Sequence, residues 1–171
     1  VFTVMLMHKT ADEKYYSQKT ETVEASDMGK NLRGKHVLLA EDNDLNAEIA
    51  VTVLEKTGLV IERVEDGIQC VNRIEQMPSE TYDLILMDIQ MPNMDGYKAA
   101  QCIRHLNDKK KADIPIIAMT ANAFAEDRKR AIDAGMNGHI AKPVEIDKLV
   151  SEISKYTENI LKKDDAENNR N

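Results

Sequence analysis

Cysteine is scarce in this chain: Cys70 and Cys102 are the only two in 171 residues, and both sit inside helix-like patterns far from one another. Their scarcity excludes a disulfide framework, and their spacing excludes a thiolate metal site built on close pairs. Both read as small core or boundary residues of a reducing compartment. No apolar run approaches the roughly 18 residues that would span a bilayer. Positive charge is in deficit as well, with 23 Lys and Arg against 30 Asp and Glu, a net charge of −7 and a pI near 5.2. Direct nucleic-acid binding, which works through clustered cations, is therefore not expected. Lys109-Lys110-Lys111 reads as a solvated loop, and Arg128-Lys129-Arg130 as an exposed helix face laced with Glu126 and Asp127. Neither G-x-x-x-x-G-K-S/T nor G-x-G-x-x-G occurs, which disfavours nucleotide binding through those loops. The opening Val1-Phe2-Thr3-Val4-Met5-Leu6 lacks an initiator Met and the order of a signal peptide, so it reads as part of a longer chain.

What is present suits one globular core with tails, at 42% apolar and 31% charged residues. Residues 1–10 hold one alternating strand, and residues 11–33 have the Glu, Asp, Lys, Ser and Thr content of a linker. From residue 34 to about 160, short apolar runs alternate with helical spacing. The strands are Val37-Leu38-Leu39-Ala40, Val60 to Val64, Leu84-Ile85-Leu86-Met87, Ile114 to Met119 and Gly138 to Ala141. Charges within the second place it at an edge. Helices are expected around Leu45, Ile49 and Val53; around Ile68, Val71, Ile74 and Met77; around Ala99, Ile103 and Leu106; over 125–134; and around Ile146, Leu149, Val150, Ile153 and Ile160. The polar stretch 161–171 is expected to be a disordered tail. Five strands alternating with five helices imply an α/β fold, a parallel sheet covered on both faces.

Asp88 follows the buried third strand directly and precedes the polar segment Ile89 to Gly96. Glu41-Asp42 follows the first strand, Thr120 ends the fourth and Lys142 follows the fifth. Parallel strands put these carboxyl ends on one rim, where ligands bind in open α/β sheets. Taken singly, Glu41, Asp42, Asn43 and Asp44 could cap a helix, Thr120 could cap another, and Lys142-Pro143 could be a turn. Taken together they describe a cleft. Three neighbouring carboxylates call for a hard cation with oxygen ligands, Mg²⁺ in the first place and Mn²⁺ as an alternative. A carboxylate nucleophile, a divalent cation, an ammonium and a hydroxyl suit phosphoryl transfer.

The strings Leu38-Leu39-Ala40-Glu41-Asp42-Asn43, Leu86-Met87-Asp88-Ile89-Gln90-Met91-Pro92-Asn93-Met94-Asp95-Gly96, Ile117-Ala118-Met119-Thr120-Ala121 and Ala141-Lys142-Pro143 resemble those of response-regulator receiver domains of two-component signalling. The resemblance implies a doubly wound, flavodoxin-like sheet of order 2-1-3-4-5. It implies phosphorylation of Asp88 by a phosphohistidine. The metal would take side-chain oxygens of Asp42 and Asp88 and the backbone carbonyl of Gln90, with Glu41 acting through water. Thr120 would follow the phosphoryl oxygens, Lys142 would pair with them, and the Lys142–Pro143 bond would be cis. Gln90 and Asn122 fall where the family tunes phosphoryl lifetime. His139 stands where many members carry Tyr or Phe, which puts the usual aromatic switch partner of Thr120 in question and favours a packing role.

The flanks are similar to the closing strand of a histidine-kinase ATP-binding domain followed by a linker, which points to the receiver of a hybrid histidine kinase. Implied partners are the kinase's phosphohistidine domain and a histidine phosphotransfer domain, docking near the cleft and the first helix. The fragment itself is expected to be cytoplasmic and off the membrane, its parent able to be anchored there. Its own chemistry would be limited to self-phosphorylation and autodephosphorylation. His8, His36 and His105 read as surface or boundary residues. Two other readings compete: an interaction module that is never phosphorylated, which the complete residue set opposes, and an aspartyl-nucleophile phosphatase, which would want Asp where Gln90 stands.

Overall fold

The computed structural model describes the backbone of residues 32–121 and 124–168, with side chains as far as Thr157. Residues 1–31, where a strand and most of a linker are expected from sequence, together with Asn122, Ala123 and the last three residues, lie outside that range.

Five strands form one parallel sheet in the order β2-β1-β3-β4-β5: β1 is His36–Ala40, β2 Val60–Val64, β3 Leu84–Asp88, β4 Ile116–Thr120 and β5 Gly138–Ala141. The charge-interrupted β2 is at an edge, while β3 and β4 are buried along their whole length. Helices α1 (Asp44–Glu55), α2 (Gly67–Gln76), α3 (Gly96–Arg104), α4 (Lys109–Ala112), α5 (Ala125–Asp133) and α6 (Ile146–Asn168) cover it. None of the described helices is long and apolar enough to cross a membrane.

Alternation along the strands divides the core in two, because successive side chains leave a strand on opposite faces. Leu38, Ala40, Ile85, Met87, Ile116 and Ala118 pack with Cys70 and Ile74 of α2 and Ala99, Ala100 and Ile103 of α3. Val37, Leu39, Leu84, Leu86, Ile117 and Met119 pack with Ala47 and Leu54 of α1 and Leu149, Val150 and Ile153 of α6.

The structure departs from the sequence reading at several points. On α1, Leu45 and Ile49 are 64% and 56% exposed, and burial falls instead on Ala47 and Leu54 with Ala50 and Val51 beside them. The helix carries two stripes at i, i+3, i+4 spacing, and the small Ala47 permits closer approach to the sheet. Lys109-Lys110-Lys111 is not a loop: it forms the single turn of α4, because the Asp108 carboxylate caps the N–H groups of Lys110 and Lys111. Helix α6 continues to Asn168, through residues whose polarity suggested a disordered tail. Lys, Ala and Glu are good helix formers and extend a helix already nucleated by packing. Leu32, placed in the linker by composition, is fully buried in the core.

Candidate functional site

Each strand that contributes to the site delivers its residue by ending there. Glu41 follows β1 and extends the sheet by one bond, its N–H donating to Val64 O at 3.1 Å. Asp88 closes β3, Thr120 closes β4, and Lys142 follows β5 with its N–H on Thr120 O at 2.7 Å. Parallel pairing therefore brings Glu41, Asp42, Asp88, Thr120 and Lys142 to one rim of the sheet.

Glu41, Asp42 and Asp88 each place one carboxylate oxygen within 4.8 Å of the other two. The Lys142 ammonium enters this cluster, 2.6 Å from Glu41 Oε2 and 2.7 Å from Asp88 Oδ2. The other oxygen of Glu41 accepts from Asn46 Nδ2 at 3.0 Å, and Asp88 Oδ1 accepts the Gln90 N–H at 3.1 Å. Both oxygens of buried Glu41 are thus engaged, whereas Asp42 is exposed. Lys142 offsets only one of three negative charges, so an oxygen-seeking divalent cation fits the remaining two. Exposed Asp42 could take such an ion directly, while Glu41 and Asp88, each with a partner on both oxygens, flank the same position.

Burial pushes the Asp88 carboxyl above its usual range, and Glu41 adds to this, against the opposing pull of Lys142 and the Gln90 N–H. Burial pulls Lys142 down, but its hydrogen bonds to Asp88 and Glu41 outweigh that and hold it above its usual value. The ammonium therefore stays charged while Asp88 is held in an environment that disfavours its own charge.

The loop after Asp88 is folded tightly against the strand. A Cβ on Gly96 would stand 2.3 Å from Asp88 O, and the Gly96 N–H donates to Ile89 O at 3.0 Å. Asn93, with φ of 62°, donates through Nδ2 to Asp66 Oδ2 at 2.8 Å, and Asp66 also caps α2. Gln90 is exposed at the rim. The Lys142–Pro143 bond is cis. His139, half-buried on β5, lines a groove between α5 and α6 with Arg128, Ile132 and Tyr156 rather than the carboxylate cluster.

Sequence reasoning missed Asn46, Asp66, Asn93 and Arg63, all of which hold this rim in shape. Asn46 looked like an ordinary helix residue and Arg63 like an edge-strand charge. Only Asp66, followed by Gly at the head of a helical pattern, carried a visible capping signal.

Fold and rim together define a doubly wound α/β domain with a carboxylate cleft at its strand ends. The chain belongs to the response regulator receiver domain family, whose profile matches residues 37–154. It is 36% identical over 135 residues to the sensor protein GacS of Pseudomonas syringae pv. syringae, an alignment covering 77% of this chain and 15% of that protein. It is 39% identical over 131 residues to hybrid signal transduction histidine kinase L of Dictyostelium discoideum, covering 75% of this chain and 8% of that one. The chain thus spans under a sixth of these curated relatives. Among solved structures, the receiver domain of sensor histidine kinase PA1611 from Pseudomonas aeruginosa PAO1 is 38% identical with a TM-score of 0.65, covering 72% of this chain and 98% of that one. That structure has a magnesium ion coordinated in its active site cleft. The Saccharomyces cerevisiae receiver domain of Ssk1, solved with the histidine phosphotransfer protein Ypd1, is 28% identical with a TM-score of 0.66, covering 74% of this chain and 90% of that one.

Proposed function

We propose that this receiver domain accepts a phosphoryl group from a phosphohistidine onto Asp88 in a Mg²⁺-dependent phosphorelay. The observation that carries this reading is the meeting, on one rim, of Asp88, two further carboxylates and the Lys142 ammonium. Bound Mg²⁺, held by Asp42, Asp88 and the Gln90 carbonyl with Glu41 behind, would neutralise charge on the attacking carboxylate and the phosphoryl oxygens. An Asp88 oxygen forms the bond to phosphorus as the bond from phosphorus to the imidazole nitrogen breaks, and the donor ring, protonated on its other nitrogen, departs as neutral imidazole. Lys142, fixed beside Asp88, supplies a positive charge to the new phosphoryl group, and the Thr120 hydroxyl donates to one of its oxygens. Gln90, exposed over the rim, influences how readily water reaches the acyl phosphate, and Asn122 shares that role.

The docking partner in this reading is the histidine-bearing helix of a kinase or a phosphotransfer domain. Leu45 and Ile49 support it: they form an exposed apolar ridge on α1, which begins three residues after Glu41 at the cleft. Likeness to histidine kinases supports a hybrid kinase as the parent chain, which would place this domain in the cytoplasm. His139, away from the carboxylates, acts as a packing residue, so Thr120 reports phosphorylation without the usual aromatic partner.

The test is incubation with acetyl phosphate and MgCl₂, read by intact mass, for the native chain and Asp88→Asn. A single phosphoryl adduct on the native chain alone is expected. No adduct on the native chain, or an equal one on the mutant, overturns the reading.

A further inference from the structure

Arg63 reaches from edge strand β2 to the turn that carries two of the three clustered carboxylates. Its Nε donates to Glu41 O at 3.1 Å and its Nη2 to Asp42 O at 3.3 Å, while Nη1 pairs with Asp44 Oδ1 at 2.7 Å. The guanidinium fork thus spans the carbonyls of consecutive residues and the first carboxylate of α1. Strand pairing aims it there: Arg63 lies opposite Leu39 and Val64 opposite Ala40, so the side chain emerges beside the end of β1. Lys142 grips the same cluster from the other edge of the sheet, but through side-chain oxygens. The two cations divide the work, one holding the carboxylates and the other the main chain from which two of them project.

We propose that Arg63 is a positioning residue for the cation site: it locks the Glu41-Asp42 main chain and draws Asp44 aside, so that the exposed Asp42 carboxylate points at the rim. This rests on the reading that the rim holds Mg²⁺. Five donors in a rigid plane suit Arg to gripping several oxygens at once, and Lys offers only a point charge at the same reach. Two effects oppose one another when Arg63 is removed. Losing a nearby positive charge favours cation binding, whereas losing the grip lets Asp42 sample orientations that must be reordered on binding. Residues that orient ligands typically change metal affinity by about 10–100-fold, more than a partly solvated charge does at this range, so the loss of order dominates.

The experiment is calorimetric titration of MgCl₂, with no phosphoryl donor present, into the native chain, Arg63→Ala, Arg63→Lys and Asp44→Asn, alongside amide NMR spectra without metal. Arg63→Ala is expected to weaken Mg²⁺ binding by about tenfold and to move the Glu41 and Asp42 amide resonances. Arg63→Lys should recover part of the affinity, and Asp44→Asn should stay near native, since the carbonyl grip survives. Unchanged or tighter Mg²⁺ binding by Arg63→Ala overturns the proposal. If Arg63→Ala does not fold, Arg63→Lys is judged by the same criterion, weaker binding supporting the proposal and native-like binding overturning it. A native chain that takes up no Mg²⁺ overturns the metal reading instead, and the metal-free amide shifts then still decide whether Arg63 sets the turn.

Discussion

At Asp88 the fold holds a charge it does not favour. Its carboxyl is pushed above the usual range chiefly by burial, so the folded state binds a proton there more readily than the unfolded chain does. A raised folded value means that this residue's contribution to stability is full below its unfolded value and is lost as pH rises through the folded one. At neutral pH without metal, Asp88→Asn should therefore melt a few degrees above the native chain, and the gap should shrink as pH falls through the raised folded value and be closed by about pH 4. Lys142 keeps Glu41 as partner at 2.6 Å in that variant, which limits the opposing loss. Adding MgCl₂ should raise the native melting temperature more than the mutant's, because a ligand that binds only the folded chain stabilises it. Thermal melts in EDTA and in MgCl₂ across pH check both.

A second cluster shows the opposite sign at one of its members. Arg73, from α2, bonds Tyr82 Oη at 3.0 Å and Glu62 Oε1 at 2.6 Å, and Tyr82 donates to Glu62 Oε2 at 2.6 Å. The Arg73 hydrogen bond, joined by Tyr82, lowers Glu62, so its contribution is present above about 4.5 and lost as pH falls. Burial, then the bond to Glu62, pushes Tyr82 up to about 12 from 10.0. The unfolded chain ionises there first, so stability should fall between about pH 10 and 12. Tyr82→Phe should cost about 1 kcal/mol at neutral pH and flatten that alkaline decline. Urea unfolding of both chains at pH 8 and 11 measures the difference.

At the scale of elements, α1 has two apolar faces, one packed on the sheet and one exposed that carries the proposed docking ridge. Leu54 is fully buried against the sheet, and Leu54→Ala should cost about 2–5 kcal/mol of folding free energy. Leu45 and Ile49 face solvent, so Leu45→Ser with Ile49→Ser should change stability by less than about 1 kcal/mol. The double variant should nonetheless slow phosphoryl transfer from a histidine phosphotransfer protein while leaving the acetyl phosphate reaction intact, since only the former needs docking. Unfolding curves and transfer rates from the two donors check the pair. Helix existence on α1 was legible from periodicity; its rotation was not. Two stripes of comparable apolarity compete, and the choice between them depends on how closely each side chain lets the helix approach the sheet. Helix α4 escaped for a related reason, since a single capped turn leaves no period to detect.

For the whole molecule, the parallel order β2-β1-β3-β4-β5 is what turns a dispersed set of residues into a site. Alternating apolar runs and helical spacings made the strands and the α/β class legible, because burial on both faces demands Val, Ile and Leu in sequence. Asp88, Glu41, Asp42, Thr120 and Lys142 were legible as a group because each follows or ends a strand, and parallel pairing sends all such ends to one rim. These facts are local and periodic, so the sequence by itself determined them. Tertiary structure decided which α1 face meets solvent, that Glu41 is occupied by Asn46 and Lys142 while Asp42 is open, and that Arg63 grips the acidic turn from an edge strand. Those contacts join residues as far apart as Glu41 and Lys142, 101 positions in the chain. A side chain's direction depends on strand register, neighbouring volume and competing hydrogen bonds, and these exist only once the sheet has brought its strands together.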